Sequence, residues 1–212
     1  SVNYLESHDD NTMGDFIRLA LGKVGSEEKV TREQVARLSA EELQIHKFAA
    51  LNLLVSQGSV MIAQGQSWGR AKVIANSIGS DTKAGQLDHN SYEKDDETNW
   101  LDWSEKSLNK ELVDYYRGLV AIRNKYSEFR NDTPDFRVFL EGTSELSYGM
   151  SLVDEHKLLV FLNADKASTA DFQLPDGNWT ILADHQQASA IGAKQIKQVA
   201  QVAPLSGLIL VQ

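Results

Sequence analysis

The sequence contains no cysteine, and this absence excludes several kinds of chemistry at once. Disulfide bonds, a thiol nucleophile and a cysteine-bound zinc site are all impossible in this chain. The sequence also lacks any apolar run that approaches the roughly 20 residues of a transmembrane helix, so no membrane span is predicted.

Positive charge is scarce, because 21 Lys and Arg residues stand against 30 Asp and Glu residues, which gives a formal net charge of −9. This balance argues against phosphate backbones and anionic membranes, so no nucleic-acid partner is predicted, and it suits a neutral ligand such as a glucan. No glycine-rich phosphate loop follows either early strand-like run, which excludes a nucleotide-binding domain of the doubly wound type.

The first ten residues form a short strand-like run that ends in a His-Asp pair. Residues 1–7 alternate as a strand does, and His8 and Asp9 follow where the strand would end. In a parallel barrel the C-terminal ends of the strands carry the chemistry, so both residues would lie at the rim of a site. A solvated acidic turn is the alternative. Glu6 would share a strand face with His8, but no catalytic role is assigned to it.

A strand, helix, strand order follows from the next segments. Ser39 and Glu42 fit a capping box that opens a helix predicted over about residues 40–57. A second strand-like run covers residues 59–66, which indicates an α/β unit. A long polar connection then carries two motifs before a second amphipathic helix, predicted over about 109–126. The motifs are Asp88-His89-Asn90-Ser91-Tyr92 and Asp95-Asp96-Glu97-Thr98-Asn99-Trp100-Leu101-Asp102-Trp103.

This order of motifs resembles the end of the catalytic barrel in the α-amylase superfamily of glycoside hydrolases, especially its pullulanase and glycogen-debranching branch. There, strand seven ends in a His-Asp pair, and an Asn-Ser-Tyr segment leads to an Asp-Trp pair before the last barrel helix. The resemblance implies that residues 1–131 are the C-terminal portion of a (β/α)8 TIM barrel, with strands seven and eight and their helices. Short strands and turn signals from Phe136 onward predict an antiparallel β-sandwich domain over residues 132–212.

The resemblance also implies roles for individual residues. Asp9 matches the carboxylate that stabilises the transition state, where a fixed negative charge helps most as oxocarbenium character develops. His8 matches the histidine that hydrogen-bonds the sugar in the cleavage subsite. Retaining hydrolysis also needs a nucleophile and a general acid, which would lie in a missing N-terminal part of the same polypeptide. Four further residues are expected to bind substrate: Asn90, Tyr92, Asp96 and Asn99.

The sequence therefore predicts a fragment of a retaining glycoside hydrolase that acts on α-glucans, with α-1,6 debranching favoured and no activity from the fragment alone. No cofactor or metal site is predicted, and a calcium ion in the full-length enzyme stays open. A secreted or periplasmic location is favoured over a cytoplasmic one. The alternative is a non-catalytic carbohydrate-binding or scaffold module.

Aromatic residues of the long connection allow two interpretations. Sugars present flat C–H faces, so an exposed ring beside hydrogen-bonding groups can serve as a sugar platform. Trp100 and Trp103 are interpreted instead as anchors that pin the connection to the barrel, with a sugar platform as the alternative. For Tyr92 both interpretations stay open.

Overall fold

The computed structural model describes residues 2–76, 81–94, 96–131, 135–139, 142–192 and 194–212, without the side chains of residues 96, 138 and 139. The chain divides into two compact units. The first unit consists of Ser1–Asn3, Lys47–Val60 and Asp114–Gln212. The second unit consists of Tyr4–His46 and Met61–Val113. The domain boundary predicted between residues 131 and 132 stays a prediction.

Strand β1 (Val2–Asn3) and five helices form the framework of the N-terminal 131 residues. The helices are α1 (Met13–Ala20), α2 (Arg32–Val35), α3 (Ala40–Val55), α4 (Asp96–Asn99) and α5 (Lys110–Lys125), and strand β2 (Ser59–Val60) follows α3. Strand β1 pairs with β2 in parallel, with Val2 opposite Ser59 and Asn3 opposite Val60. The strand, helix, strand order is therefore present, but each paired segment is two residues long and much shorter than predicted.

The helix starts follow from local hydrogen bonds at their caps. The Thr12 hydroxyl accepts the Asp15 N–H at 3.0 Å at the start of α1. Thr31 and Gln34 form a complete capping box at the start of α2. Before α3, the Ser39 N–H donates to Glu42 Oε2 at 2.6 Å. These contacts satisfy free N–H groups at each helix start, which is why the capping pattern at Ser39 located the start of α3 correctly.

Buried Arg18 links α1 to other segments of the second unit. Its side chain is buried and donates to Asp15 Oδ1 at 3.1 Å and to the Gly69 carbonyl oxygen at 3.1 Å. The other carboxylate oxygen of Asp15 accepts the Lys72 N–H at 2.8 Å. A buried charge needs such partners, because unpaired it would lose its hydration without compensation. The pair therefore ties α1 to the segment around Gly69.

The described part of the long connection has little regular structure, but several of its backbone groups are hydrogen-bonded. The Ile74 N–H donates to the Gln86 carbonyl and the Gly85 N–H donates to the Ile74 carbonyl, both at 2.9 Å. The Val30 N–H donates to the Gly85 carbonyl at 2.8 Å. Backbone groups around Val30, Ile74 and Gly85 therefore form a local hydrogen-bonding network that holds these three segments together.

In the first unit, Arg123 on α5 donates hydrogen bonds to carbonyl groups at and just beyond the end of α3. Its guanidinium is buried and donates to the carbonyl oxygens of Leu54 and Ser56, each at 2.8 Å, and to that of Gly58. The last carbonyls of a helix have no partner within the helix. A cationic donor at this position satisfies them and also suits the negative end of the helix dipole.

The C-terminal part of the first unit is an antiparallel β structure. Its strands are β3 (Asp135–Phe139), β4 (Ser147–Val153), β5 (Lys157–Asn163), β6 (Ala170–Gln173), β7 (Trp179–Ala183), β8 (Lys194–Ile196), β9 (Val199–Val202) and β10 (Ser206–Val211). Six strands form one sheet in the order β3-β4-β5-β10-β7-β8, and β6 pairs with β9. All of these pairs are antiparallel, which confirms the predicted β-rich character of this region.

The two sheets share one apolar core. Phe161 of β5 stacks on Phe172 of β6, with ring centroids 4.4 Å apart. Trp179 packs into the same cluster, and its indole N–H donates to the Pro175 carbonyl at 2.9 Å. Burial of large aromatic side chains supplies much of the stability of a small β domain, and the satisfied indole nitrogen avoids a desolvation penalty.

Candidate active site

The His8-Asp9 pair lies on an exposed turn five to six residues beyond the end of β1. The side chains of His8 and Asp9 are 75% and 67% exposed, and His8 Nε2 lies 3.5 Å from Asp9 Oδ1. The Asp9 N–H donates to Ser7 Oγ at 3.2 Å. Asp10 follows with a φ of 59°, a left-handed conformation that aspartate adopts more readily than most residues. The turn therefore presents both side chains to solvent.

Three of the predicted site residues line one cleft of about 500 Å³ in the second unit. They are His8, Tyr92 and Asn99. Asp9 and Asn90 are not among the described lining residues, but they form an isolated antiparallel bridge with each other. The structure therefore brings five of the six predicted residues to one region. The side chain of the sixth, Asp96, lies outside the described part of the chain.

Asn90 and Asn99 hold the loop through the backbone. The Asn99 side-chain amide donates to the Ser91 carbonyl at 2.8 Å and to the Lys94 carbonyl at 3.3 Å. The Asn90 N–H donates to Asp88 Oδ1 at 2.8 Å. These contacts shape the turn that carries the Tyr92 ring, so part of the role of Asn99 is structural.

Tyr92 is the most exposed aromatic ring of the cleft, with 63% of its surface accessible. Its hydroxyl donates to Glu93 Oε1 at 2.8 Å. This hydrogen bond raises the pKa of the Tyr92 hydroxyl, and the negative charges of Glu93 and Asp9 act in the same direction. The exposed ring therefore lies at the cleft, within range of the negative charge of Asp9.

Two cations, Lys72 and Arg70, hold the walls of the cleft, and no motif in the sequence singles them out. Lys72 Nζ donates to the Asp10 carbonyl at 3.0 Å and to the His8 carbonyl at 3.4 Å. Arg70 donates to the Asn99 carbonyl at 2.9 Å. Burial lowers the pKa of both cations. The spacing Arg-x-Lys is the only signal in the sequence, and it is weak without knowledge of which loops meet there.

Glu6 also lines the cleft, beneath the exposed pair. It is only 4% exposed, and its Oε2 accepts the Met13 N–H at 3.1 Å. Burial raises the pKa of Glu6 from 4.5 to about 7, although Arg70 and the Met13 N–H oppose that rise. The alternation of the first strand-like run had placed Glu6 on the His8 face. Only the structure shows that the Glu6 carboxyl is buried whereas the Asp9 carboxylate is exposed.

The groups of the cleft are chemically suited to a neutral polyol. It offers an exposed ring, an imidazole and hydrogen-bonding groups, which together can orient a sugar. Asp9 can supply a fixed negative charge beside it.

No group of three or more potential metal ligands occurs among the described residues. None of the described helices has the length and apolar character that crossing a bilayer requires.

No family model matches the chain. A search among known proteins finds the pullulanase of Bacillus subtilis (strain 168), which is 28% identical over 184 residues, 83% of this chain and 22% of that protein. The glycogen operon protein GlgX homolog of Mycobacterium bovis is 27% identical over 161 residues, 67% of this chain and 19% of that protein. The chain thus spans about a fifth of the length of the relatives that it matches.

Solved structures extend the similarity to the full chain. A pullulanase from Anoxybacillus sp. LM18-11, solved with maltotetraose, is 25% identical with a TM-score of 0.74. The similarity covers 100% of this chain and 28% of that one. The predicted resemblance is therefore confirmed: over its whole length, this chain is similar to part of the pullulanases of the α-amylase superfamily.

Proposed function

We propose that this chain is the C-terminal part of a retaining glycoside hydrolase that cleaves α-1,6 branches in α-glucans. Asp9 stabilises the transition state, and His8, Asn90, Tyr92, Asp96 and Asn99 bind the substrate. The observation that carries the proposal is the convergence of His8, Tyr92 and Asn99 on one cleft beside Asp9. Because these residues come from motifs about 80 residues apart in the chain, their proximity supports a shared role.

The proposed fold has strands β1 and β2 as strands seven and eight of a (β/α)8 barrel. Their parallel pairing and the helices between them support this assignment. Residues 1–131 then form the end of the barrel and residues 132–212 a β-sandwich domain. The C-terminal ends of barrel strands carry catalytic groups, which agrees with the position of His8 and Asp9 after β1.

The proposed mechanism gives Asp9 an electrostatic task. Cleavage of a glycosidic bond develops positive charge on the sugar ring, and a fixed carboxylate stabilises that charge more in the transition state than in the ground state. Lys72 holds the backbone of the turn that carries the carboxylate, because it donates to two carbonyl groups of that turn. The nucleophile and the general acid belong to the part of the enzyme outside these 212 residues.

The proposed substrate is a neutral α-glucan. One similar pullulanase has been solved with maltotetraose. The exposed Tyr92 ring and the hydrogen-bonding groups of the cleft are chemically suited to such a chain. A secreted or periplasmic location belongs to the same proposal.

The test is Asp9→Asn in the full-length protein that carries this chain, called the parent protein below. Loss of the negative charge should lower kcat on pullulan by roughly three orders of magnitude, with the unfolding midpoint almost unchanged. Asp10→Asn is the matched control, because Asp10 is the exposed neighbour and asparagine tolerates its positive φ. Near-normal turnover of Asp9→Asn, or an equal loss in Asp10→Asn, would contradict the assignment.

The alternative function, a non-catalytic carbohydrate-binding module, is separated by a second measurement. The isolated chain should release no reducing sugar from pullulan, whereas the parent protein should release it readily. A parent protein that binds pullulan without cleaving it would favour the module instead.

A further inference from the structure

A second hollow of about 630 Å³ lies in the same unit, and the cleft does not account for it. We call it the Trp100 groove, and its principal lining residues are Val30, Arg32, Ile74, Asn76, Glu97 and Trp100. None of these six lines the cleft. Its volume is within the range of natural ligand sites, which is about 300–1,000 Å³.

The wall between the two hollows is a short chain segment. Asn99 and Leu101 line the cleft, whereas Trp100 between them lines the groove. Arg70 holds this wall by donating to the Asn99 carbonyl. Arg32 holds it from its other side by donating to the Trp100 carbonyl at 3.3 Å. The two hollows are therefore separate but share a backbone.

The apolar residues that line the groove are held in place without a ligand. Val30, Ile74 and Gly85 belong to the three segments that are joined by backbone hydrogen bonds. Val30 also packs against a small apolar cluster of Val24, Val35 and Ala71. An apolar floor with a satisfied backbone is the usual construction of a preformed ligand site.

Trp100 is exposed and yet fixed in place. Its surface is 58% accessible, and its interpretation as an anchor of the long connection stays a prediction. The Arg32 guanidinium carbon lies 5.4 Å from the centre of the Trp100 ring. Arg32 is itself held by Glu105, since its Nε lies 2.7 Å from Glu105 Oε1. A guanidinium over an aromatic face restricts the motion of the ring. Binding of a ligand to this ring therefore costs little side-chain entropy.

The polar groups of the groove suit a hydroxyl-rich ligand and disfavour a polyanion. Arg32 is paired with Glu105, whereas Glu33 and Glu97 add two carboxylates and Asn76 adds an amide. The carboxylates repel a polyanion but can accept hydrogen bonds from hydroxyl groups. The groove can therefore hydrogen-bond hydroxyl groups while the ring covers the C–H face of a sugar.

We propose that the Trp100 groove is a second α-glucan-binding site, separate from the cleft, with Trp100 as its stacking platform. The inference rests on the proposed function for the identity of the ligand. Its task is to hold a remote part of a polymeric substrate while another part occupies the cleft. A second contact on one polymer raises the effective concentration of that polymer at the cleft. A short oligosaccharide that occupies the cleft alone makes no second contact and gains nothing.

The chain provides an unusually close control for this proposal. Trp103 is 59% exposed and has a lysine, Lys106, 5.3 Å from its ring centre. Its ring packs against Trp68 at a centroid distance of 5.1 Å, and it is not among the described residues that line the groove. The two tryptophans therefore match in exposure and in cation contact but differ in access to the groove.

The binding experiment uses the parent protein with Asp9→Asn, so that glycogen is not consumed during the measurement. Retardation in glycogen-containing native gels should give a dissociation constant about fivefold weaker for Trp100→Ala, the size expected for loss of one aromatic stacking contact. Trp100→Phe should recover most of the affinity, and Trp103→Ala should bind as the Asp9→Asn protein does. Unchanged glycogen binding by Trp100→Ala, or an equal loss in Trp103→Ala, would overturn the proposal.

A kinetic measurement separates this inference from the proposed function. In the otherwise wild-type parent protein, Trp100→Ala should lower kcat/KM for glycogen about fivefold relative to kcat/KM for a short branched maltooligosaccharide. An equal decrease for both substrates would overturn the proposal of a separate site. If the parent protein has no hydrolytic activity at all, the proposed function fails, while the gel experiment still decides whether the Trp100 groove binds glycogen.

Discussion

Glu6 should make the folded chain less stable as the pH rises through weakly acidic values. Its pKa is 4.5 when unperturbed and about 7 in the folded protein, where burial is the largest cause of the rise. Between these two values the folded state keeps a proton that the unfolded state has released. Stability linked to Glu6 is therefore fully present below pH 4.5 and is lost as the pH rises toward 7.

The size of this effect follows from the pKa difference. A rise from 4.5 to about 7 corresponds to about 3 kcal/mol of unfolding free energy, a large fraction of the stability of a typical domain. Glu6→Gln keeps an oxygen that can accept the Met13 N–H but cannot ionise. The variant should therefore be more stable than the wild type at pH 7.5, and the difference should shrink toward pH 4.5.

Urea unfolding of the purified chain, followed by circular dichroism at several pH values from 4.5 to 7.5, measures this difference directly. Glu27→Gln is the control, because Glu27 is an exposed glutamate of the same unit. Its unfolding free energy should follow that of the wild type at every pH. A constant offset between wild type and Glu6→Gln across the pH range would refute the reasoning, because the burial of a titrating carboxyl cannot produce it.

Two further outcomes are expected from buried cationic and basic groups. Burial lowers the pKa of His46 from 6.5 to about 3, so the free energy of unfolding should decrease as the pH falls from 6.5 toward 3. The urea midpoint of His46→Gln should not show this decrease. The midpoint of His185→Gln, which changes an exposed histidine, should still show it. Arg123→Met should lower the unfolding free energy by about 3 kcal/mol, because it removes the shared donor of three carbonyl groups. In thermal unfolding Arg123→Lys should recover part of the loss, and a fully stable Arg123→Met would contradict this role.

Regular elements were predictable where the signal is local. Helix α3 was expected over about 40–57 and spans Ala40–Val55, because its capping residues lie beside its first turn. Short strands were expected from Phe136 onward and are present there, because turn residues separate them in the sequence. Strand β2 was expected over residues 59–66 but pairs only over Ser59–Val60, because pairing depends on a partner strand that a local pattern does not reveal.

The candidate site was predictable in part for the same reason. His8 and Tyr92 belong to compact motifs whose resemblance is readable in the sequence, and the structure brings both to one cleft. No local pattern predicts the positions of Arg70 and Lys72 in the cleft or the burial of Glu6. These features depend on which loops come together in the fold. The interpretation of Trp100 as an anchor stays a prediction, and no local pattern shows that this ring is exposed and lines a groove.

The wall formed by Asn99, Trp100 and Leu101 has a consequence for how this chain can change during evolution. Substitutions there can alter one hollow without touching the other, because neighbouring residues serve opposite sides. Insertion or deletion of a single residue has a different effect, since it would exchange the side chains between the two sides. We therefore expect homologous chains to vary in residue type along this wall while keeping its length, and a library of one-residue deletions to be most damaging there.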